Sequence, residues 1–164
     1  MFIKNLEIIF ISIIFFALVV LANNYYQDYL FKHSDISQHD QQKIINKEHE
    51  ILQNMQKNFG FTVKFPLIVT GKFKGRLYGL TSYQKGYITI YLNKKVMKES
   101  MSYMVESVIA HEYAHALLFH LRQFQLNNDG HSELWQQTCV KLGGVDCRQY
   151  VNQHEIIMSK MPFR

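Results

Sequence analysis

The chain has 164 residues, with 18 Lys and Arg against 13 Asp and Glu, a formal charge of +5 with His neutral. That length suits one ordinary domain and makes a two-domain enzyme a poor reading. With 48% hydrophobic and 14% aromatic residues, intrinsic disorder and collagen-like or low-complexity structure are excluded. The first element is apolar: Ile8 to Ala22 carries no charge, and Ser12 is its single polar side chain. As a helix this stretch covers about 22 Å, short of the roughly 30 Å of bilayer hydrocarbon. Extension through Leu6 and out to Tyr25 and Tyr26 reaches spanning length, with the tyrosines at interfacial depth. The other reading is a cleavable signal peptide with Val20-Leu21-Ala22 as its small-residue cleavage site. Residues 1–26 are therefore expected to be a signal peptide or membrane anchor, 27–38 a linker, and 39–164 a folded domain outside the cytoplasm.

From His39 to Phe59, Ile44, Ile45, Leu52, Met55 and Phe59 recur at helical spacing, and Gly60 supplies a stop. Three short strands follow near 61–70, 74–82 and 86–92, rich in β-branched and aromatic residues. The last alternates cleanly, with Tyr87, Thr89 and Tyr91 on one face and Ile88, Ile90 and Leu92 on the other. A long helix is expected from Val96 to Leu121, with Met101, Met104, Val105, Val108, Glu112, His115 and Leu118 along one stripe. After a polar loop, a second helix begins near His131, capped by Asp129 or Ser132, with Leu134, Trp135, Cys139 and Leu142 inward and Gly143-Gly144 at its end. Residues 145–164 have no assignment. The fold class is α+β, a small sheet of about three strands packed on a helix pair and preceded by the apolar segment. Cys139 and Cys147 form either one disulfide in an exported domain or buried thiols in a cytosolic one.

The chemistry concentrates in His111-Glu112-Tyr113-Ala114-His115, an H-E-x-x-H motif inside the expected helix. Positions i and i+4 share a helix face, so both imidazoles can reach one metal while Glu112 flanks a bound water. Two histidines and a glutamate on an inward stripe would be costly unless something satisfied them. A catalytic zinc takes three protein ligands and keeps one position open. His131, at the start of the next helix, is preferred over Glu133 as the third. His33, His39, His49, His120 and His154 read as surface or loop residues.

The combination of Gly75-Arg76, Gly79-Leu80-Thr81, Ile88-Thr89-Ile90-Tyr91-Leu92-Asn93, Val108-Ile109-Ala110 leading into the H-E-x-x-H, and Asp129-Gly130-His131 with Trp135 resembles the SprT-like zinc metallopeptidases over roughly residues 40 to 143. That family includes the Spartan proteases, which degrade proteins crosslinked to DNA. The resemblance implies that residues 39–164 are a SprT-like metallopeptidase domain, that His111, His115 and His131 hold one catalytic zinc, and that Glu112 is the catalytic acid/base. Three features depart from the family pattern: Ser132 follows the third histidine where Gly is common, no cysteine zinc ribbon follows the core, and the apolar amino terminus is foreign to a protease of chromosomal DNA.

The expected function is thus a zinc-dependent endopeptidase, exported or membrane-anchored, acting on protein or peptide substrates. The alternatives are a protease of DNA-bound or crosslinked proteins and a non-catalytic zinc-containing binding module. Between Ile51 and Lys98 lie Lys57, Lys64, Lys72, Lys74, Arg76, Lys85, Lys94, Lys95 and Lys98 with no acidic residue. This basic region, 57–98, with interleaved Tyr78, Tyr83, Tyr87 and Tyr91, suits an anionic membrane surface or single-stranded nucleic acid, or is simply a solvated sheet.

Overall fold

The computed structural model of the chain describes residues 2–73, 77–124 and 130–148. Lys74, Gly75, Arg76, Asp129 and His154, named above, lie outside the described residues. The chain divides into two units, Met1–Asp35 and Ile36–Arg164.

The first unit is one helix, α1 (Phe2–His33). It contains neither Gly nor Pro to interrupt it. Ser12 closes its own polarity by donating to the Ile8 carbonyl at 2.8 Å. The 25 residues Glu7–Phe31 are long and apolar enough to cross a membrane, and none of that stretch is buried within the fold. The helix runs on through residues 27–33, where the sequence suggested a linker.

The second unit opens with α2 (Gln38–Phe59). Ser37 caps it reciprocally, accepting from the Asp40 amide at 3.1 Å and donating to the Asp40 carboxylate at 2.8 Å. Gly60 ends it with φ 80, a left-handed conformation that only glycine adopts without cost. Ile44, Ile51 and Met55 of α2 are buried. Ile45, expected inward, is 55% exposed: it lies about 100° round the helix from Ile44, off the line of Ile44, Ile51 and Met55.

The sheet comprises β1 (Leu67–Thr70), β2 (Gly79–Gln84) and β3 (Tyr87–Asn93), in the order β1-β3-β2. β3 is central, parallel to β1 and antiparallel to β2. The first strand is shorter than the sequence suggested. Pro66 lacks an N–H for the ladder, and Phe65 before it turns into the core instead. Lys85 and Gly86, both at positive φ, make the two-residue turn between β2 and β3. Ile90 and Leu92 of β3 are fully buried. Asn93 ends the strand by accepting from the Lys95 amide at 3.0 Å while its own amide donates to the Leu77 carbonyl at 2.7 Å.

The helix expected over 96–121 is broken into pieces. α3 (Lys94–Glu99) stops at Ser100, whose φ of −148 is not helical. α4 (Met101–Tyr103) then runs through a π-helical turn, Met104–Val108, into α5 (Ile109–His120). The π turn inserts one residue, which rotates the upstream apolar positions relative to α5. α5 is the centre of the unit, packed by β2, β3, α2 and α6 (Glu133–Lys141). Ile109, Ala110, Tyr113, Ala114, Ala116 and Leu117 are all at 0% exposure. The three alanines let neighbouring elements approach closely, and each large apolar side chain buried here contributes roughly 1.5–3 kcal/mol.

α6 starts at Ser132, whose hydroxyl accepts from the Trp135 amide at 3.3 Å. Trp135, Cys139 and Leu142 are buried as expected, but Leu134 is 36% exposed, since it sits one residue off that stripe. The last carbonyls of this region are satisfied from α2. Lys47 donates to the Gly143 carbonyl at 2.9 Å, Asn54 to that of Leu142 at 3.3 Å, and Asn58 to that of Lys141 at 2.9 Å. Cys139 and Cys147 are joined in a disulfide with Cα atoms 5.9 Å apart. Gly144 lies between the sulfurs, where a Cβ would approach them to 2.6 and 2.7 Å.

Candidate metal centre

The fold brings three histidines to one point. His111 and His115 stand one turn apart on α5, and His131 comes from the segment that caps α6. The Nε2 of His131 lies 3.1 Å from that of His111 and 3.2 Å from that of His115. One ligand atom from each of the three falls within 4.8 Å of the others. A tetrahedral zinc with bonds of about 2.0 Å would separate its nitrogens by about 3.3 Å, so the three rings fit such an ion. One ring N–H at most can lie between each pair, and burial opposes charging His111 and His115. Burial first, then the neighbouring imidazole of His131, lowers the His111 pKa to about 3, with Asp146 acting in the opposite direction. Burial, then His111 and His131, lowers that of His115 to about 2. Neutral imidazoles with converging lone pairs are the donor set a divalent cation takes.

All three histidines remain partly open to solvent, so the cluster is a reachable site. Its floor is Trp135, 1% exposed, whose ring lies 4.5 Å from His111, 5.2 Å from His115 and 4.5 Å from His131 by centroids. The sequence marked Trp135 as core; that it touches all three imidazoles emerges only in the fold. Gly130, at φ 85, precedes His131, and a Cβ there would come within 2.9 Å of the Phe124 ring. Glu133, the alternative ligand, is exposed and accepts from the Gln137 amide at 3.2 Å, away from the cluster. His39, His49 and His120 are exposed.

Glu112 is only 6% exposed and is held by β2. The Thr81 hydroxyl lies 2.7 Å from Glu112 Oε2 and 2.9 Å from the Glu112 carbonyl oxygen. The carboxyl pKa is pushed up to about 7 by burial, against the lowering influence of hydrogen bonds from the Thr81 side chain and backbone. Gly79 faces the same carboxylate. In the sequence Gly79 and Thr81 stand in one motif with no visible task, because Thr81 meets Glu112 across 31 residues of chain and Gly79 lies further still.

Beyond the cluster, Tyr103 directs its phenol to Asp146 at 3.5 Å, and Asp146 pairs with Arg148 at 3.0 Å. Burial, then Asp146, holds the Tyr103 phenol above its ordinary pKa. On the far side of α5, Tyr113 donates to Glu48 at 2.5 Å, and Lys64 pairs with the other Glu48 oxygen at 2.6 Å. Of the basic region, Lys57, Lys64, Lys72, Lys85, Lys95 and Lys98 are exposed, whereas Lys94 is 8% exposed and belongs to the interior.

The sequence model of the SprT-like family matches residues 41–156. Comparison with curated proteins and with solved structures gives no match.

Proposed function

Because the chain belongs to the SprT-like family, we propose that it is a zinc-dependent endopeptidase, with His111, His115 and His131 holding the ion and Glu112 as the acid/base. The observation that carries this reading is a solvent-reachable three-imidazole cluster beside a buried glutamate whose pKa is raised to about 7. A closed structural site takes four protein ligands and has no use for such a carboxylate.

Bound zinc would acidify a water molecule and polarise the substrate carbonyl. Glu112 accepts the proton of the attacking water and returns it to the leaving amine. A carboxyl near pKa 7 suits both roles at neutral pH, since it neither holds nor releases the proton too strongly. Thr81 fixes the carboxylate by hydroxyl and amide, and Trp135 fixes the three rings from below.

The domain, in this reading, works outside the cytoplasm, tethered or released by the segment Glu7–Phe31. The Cys139–Cys147 disulfide supports that compartment, since such bonds persist where thiols are not kept reduced. The exposed lysines of 57–98 then face anionic lipid headgroups rather than DNA. Salt-sensitive binding of the chain to anionic vesicles, absent with neutral ones, checks this contact, and preferential binding to single-stranded DNA argues for the DNA-associated alternative.

The test is metal content together with peptide hydrolysis by the full-length chain in detergent. Glu112→Gln should keep one zinc and lose hydrolysis; His111→Ala should lose both. An undiminished rate in the Glu112 variant removes the mechanism.

A further inference from the structure

Three aromatic rings continue the site along one side. Tyr83 stacks on Phe119 with centroids 5.5 Å apart and planes 7° from parallel, and Phe119 stacks on Phe124 at 4.1 Å and 18°. Phe124 in turn lies 6.5 Å from the His115 ring, with its edge against Gly130. None of the three belongs to the buried core, and Tyr83 is 53% exposed. The row is therefore a wall with an uncovered side, ending at the metal cluster.

Two stripes explain its position. On α5, His111, His115 and Phe119 recur at four-residue intervals, so the wall continues the line of the ligands. On β2, Gly79, Thr81 and Tyr83 share one strand face, the face that carries the Glu112 contact. β2 is an edge strand of the described sheet. The Asn93 amide donates to the Tyr78 carbonyl at 2.8 Å, so with the antiparallel register the main-chain groups of residues 79, 81 and 83 are those turned away from β3. An extended peptide added to that edge would pass Thr81 at the glutamate and bring an alternate side chain to Tyr83 and Phe119.

We propose that Tyr83, Phe119 and Phe124 form a specificity-determining subsite that receives an aromatic or bulky apolar side chain near the scissile bond of the substrate. This rests on the endopeptidase reading and adds the class of side chain selected. Parallel rings with one open side offer a flat apolar surface with no charged group in the stack, which a phenyl or isobutyl side chain matches and a short or charged one does not.

The test separates binding from hydrolysis. Two peptide sets are used, identical except for Phe or Ala at each position flanking the scissile bond. Anisotropy reads their binding to full-length Glu112→Gln, and kcat/KM reads cleavage by the zinc-loaded wild type. At one flanking position the Phe peptide is expected to bind and be cleaved roughly tenfold better than the Ala peptide, the scale at which an apolar pocket discriminates. Tyr83→Ala should bring that ratio down severalfold; should this variant lose its zinc, Phe119→Leu replaces it. An equal affinity for Phe and Ala peptides at every position overturns the subsite, whether or not hydrolysis occurs. So does an unchanged ratio in both variants, or a loss of oligothymidine binding in Tyr83→Ala with the peptide ratio intact. Tight Phe-selective binding without any cleavage by the wild type would leave the subsite standing and remove the hydrolytic reading instead.

Discussion

The carboxylate of Glu112 lies directly over the Cα of Gly79, where an added Cβ would stand 2.6 Å from Oε1 and 2.7 Å from Cγ. No side chain larger than hydrogen fits between the edge strand and the glutamate. Gly79→Ala must therefore displace the carboxylate, although it touches none of the three histidines. The expected outcome is zinc content equal to wild type with peptide hydrolysis reduced about a hundredfold, the scale of an ångström misplacement of a reacting group. Metal analysis and kcat/KM on the same preparation check it; a Gly79→Ala enzyme at wild-type rate would show that Glu112 does not act from this position.

A second prediction concerns pH in the metal-free chain. His111 and His115 have folded pKa values of about 3 and about 2, below the ordinary 6.5, so the unfolded chain binds their protons first. Their contribution is complete above 6.5 and is lost as pH falls below it. Glu112 has the opposite sign: with its pKa raised to about 7 from 4.5, it is protonated in the fold first and stabilises as pH falls through that interval. Between pH 6 and 5 these three groups balance to about one proton, so their part of the stability should decline by about 1.4 kcal/mol per pH unit. Glu112→Gln removes the opposing proton and should make that decline about twice as steep. Thermal melts of chelator-treated protein from pH 7 to 5 check it, and a Tm independent of pH in both proteins would contradict it.

The disulfide closes a short loop, with a sequence separation of 8. Loop-closure entropy gives it about 2.5 kcal/mol. Cys139→Ser with Cys147→Ser should lower the melting temperature accordingly, and reductant should lower that of the wild type but not of the double variant. Gly144→Ala is expected to resemble the double variant, because its methyl would occupy the space of the two sulfurs. Thiol labelling of the unreduced protein reports whether the bond forms.

Tyr113→Phe tests how α2 is fixed to α5, the helix that carries His111 and His115. The phenol is fully buried and donates to Glu48, so its removal leaves a nearly buried carboxylate with Lys64 as its remaining side-chain partner among the described contacts. A loss of about 1–3 kcal/mol is expected. Because Tyr113 faces away from the cluster, zinc affinity should change much less than stability, which calorimetry and metal titration can compare.

Much of this arrangement was readable from the residues. α2 was readable from its apolar recurrence and Gly60, β3 from the alternation of Tyr87 to Leu92, and the histidine pair from its four-residue spacing. The interruption at Ser100 and the π turn at Met104–Val108 were not, because an apolar stripe tolerates a one-residue slip without losing its appearance. Pro66 did carry a warning that the first strand could not begin where its β-branched neighbours suggested. The grip of Gly79 and Thr81 on Glu112, the placing of Trp135 beneath three imidazoles, and the approach of Asp146 to Tyr103 all depend on contacts far apart in the chain. The cysteine pairing depended on a separation in space that eight residues of sequence do not determine.

The three α2 side chains that reach the end of α6 set a register for the whole unit. Lys47, Asn54 and Asn58 meet the carbonyls of Gly143, Leu142 and Lys141 in reverse order, like teeth engaging a rack. One residue inserted between Lys47 and Asn58 would turn part of that row by about 100°. The terminus of α6 would lose its partners, and with them the anchorage of the helix whose N-cap, Ser132, directly follows His131. The third corner of the histidine cluster is thus gauged from the opposite flank of the domain, by a helix that contributes no residue to it.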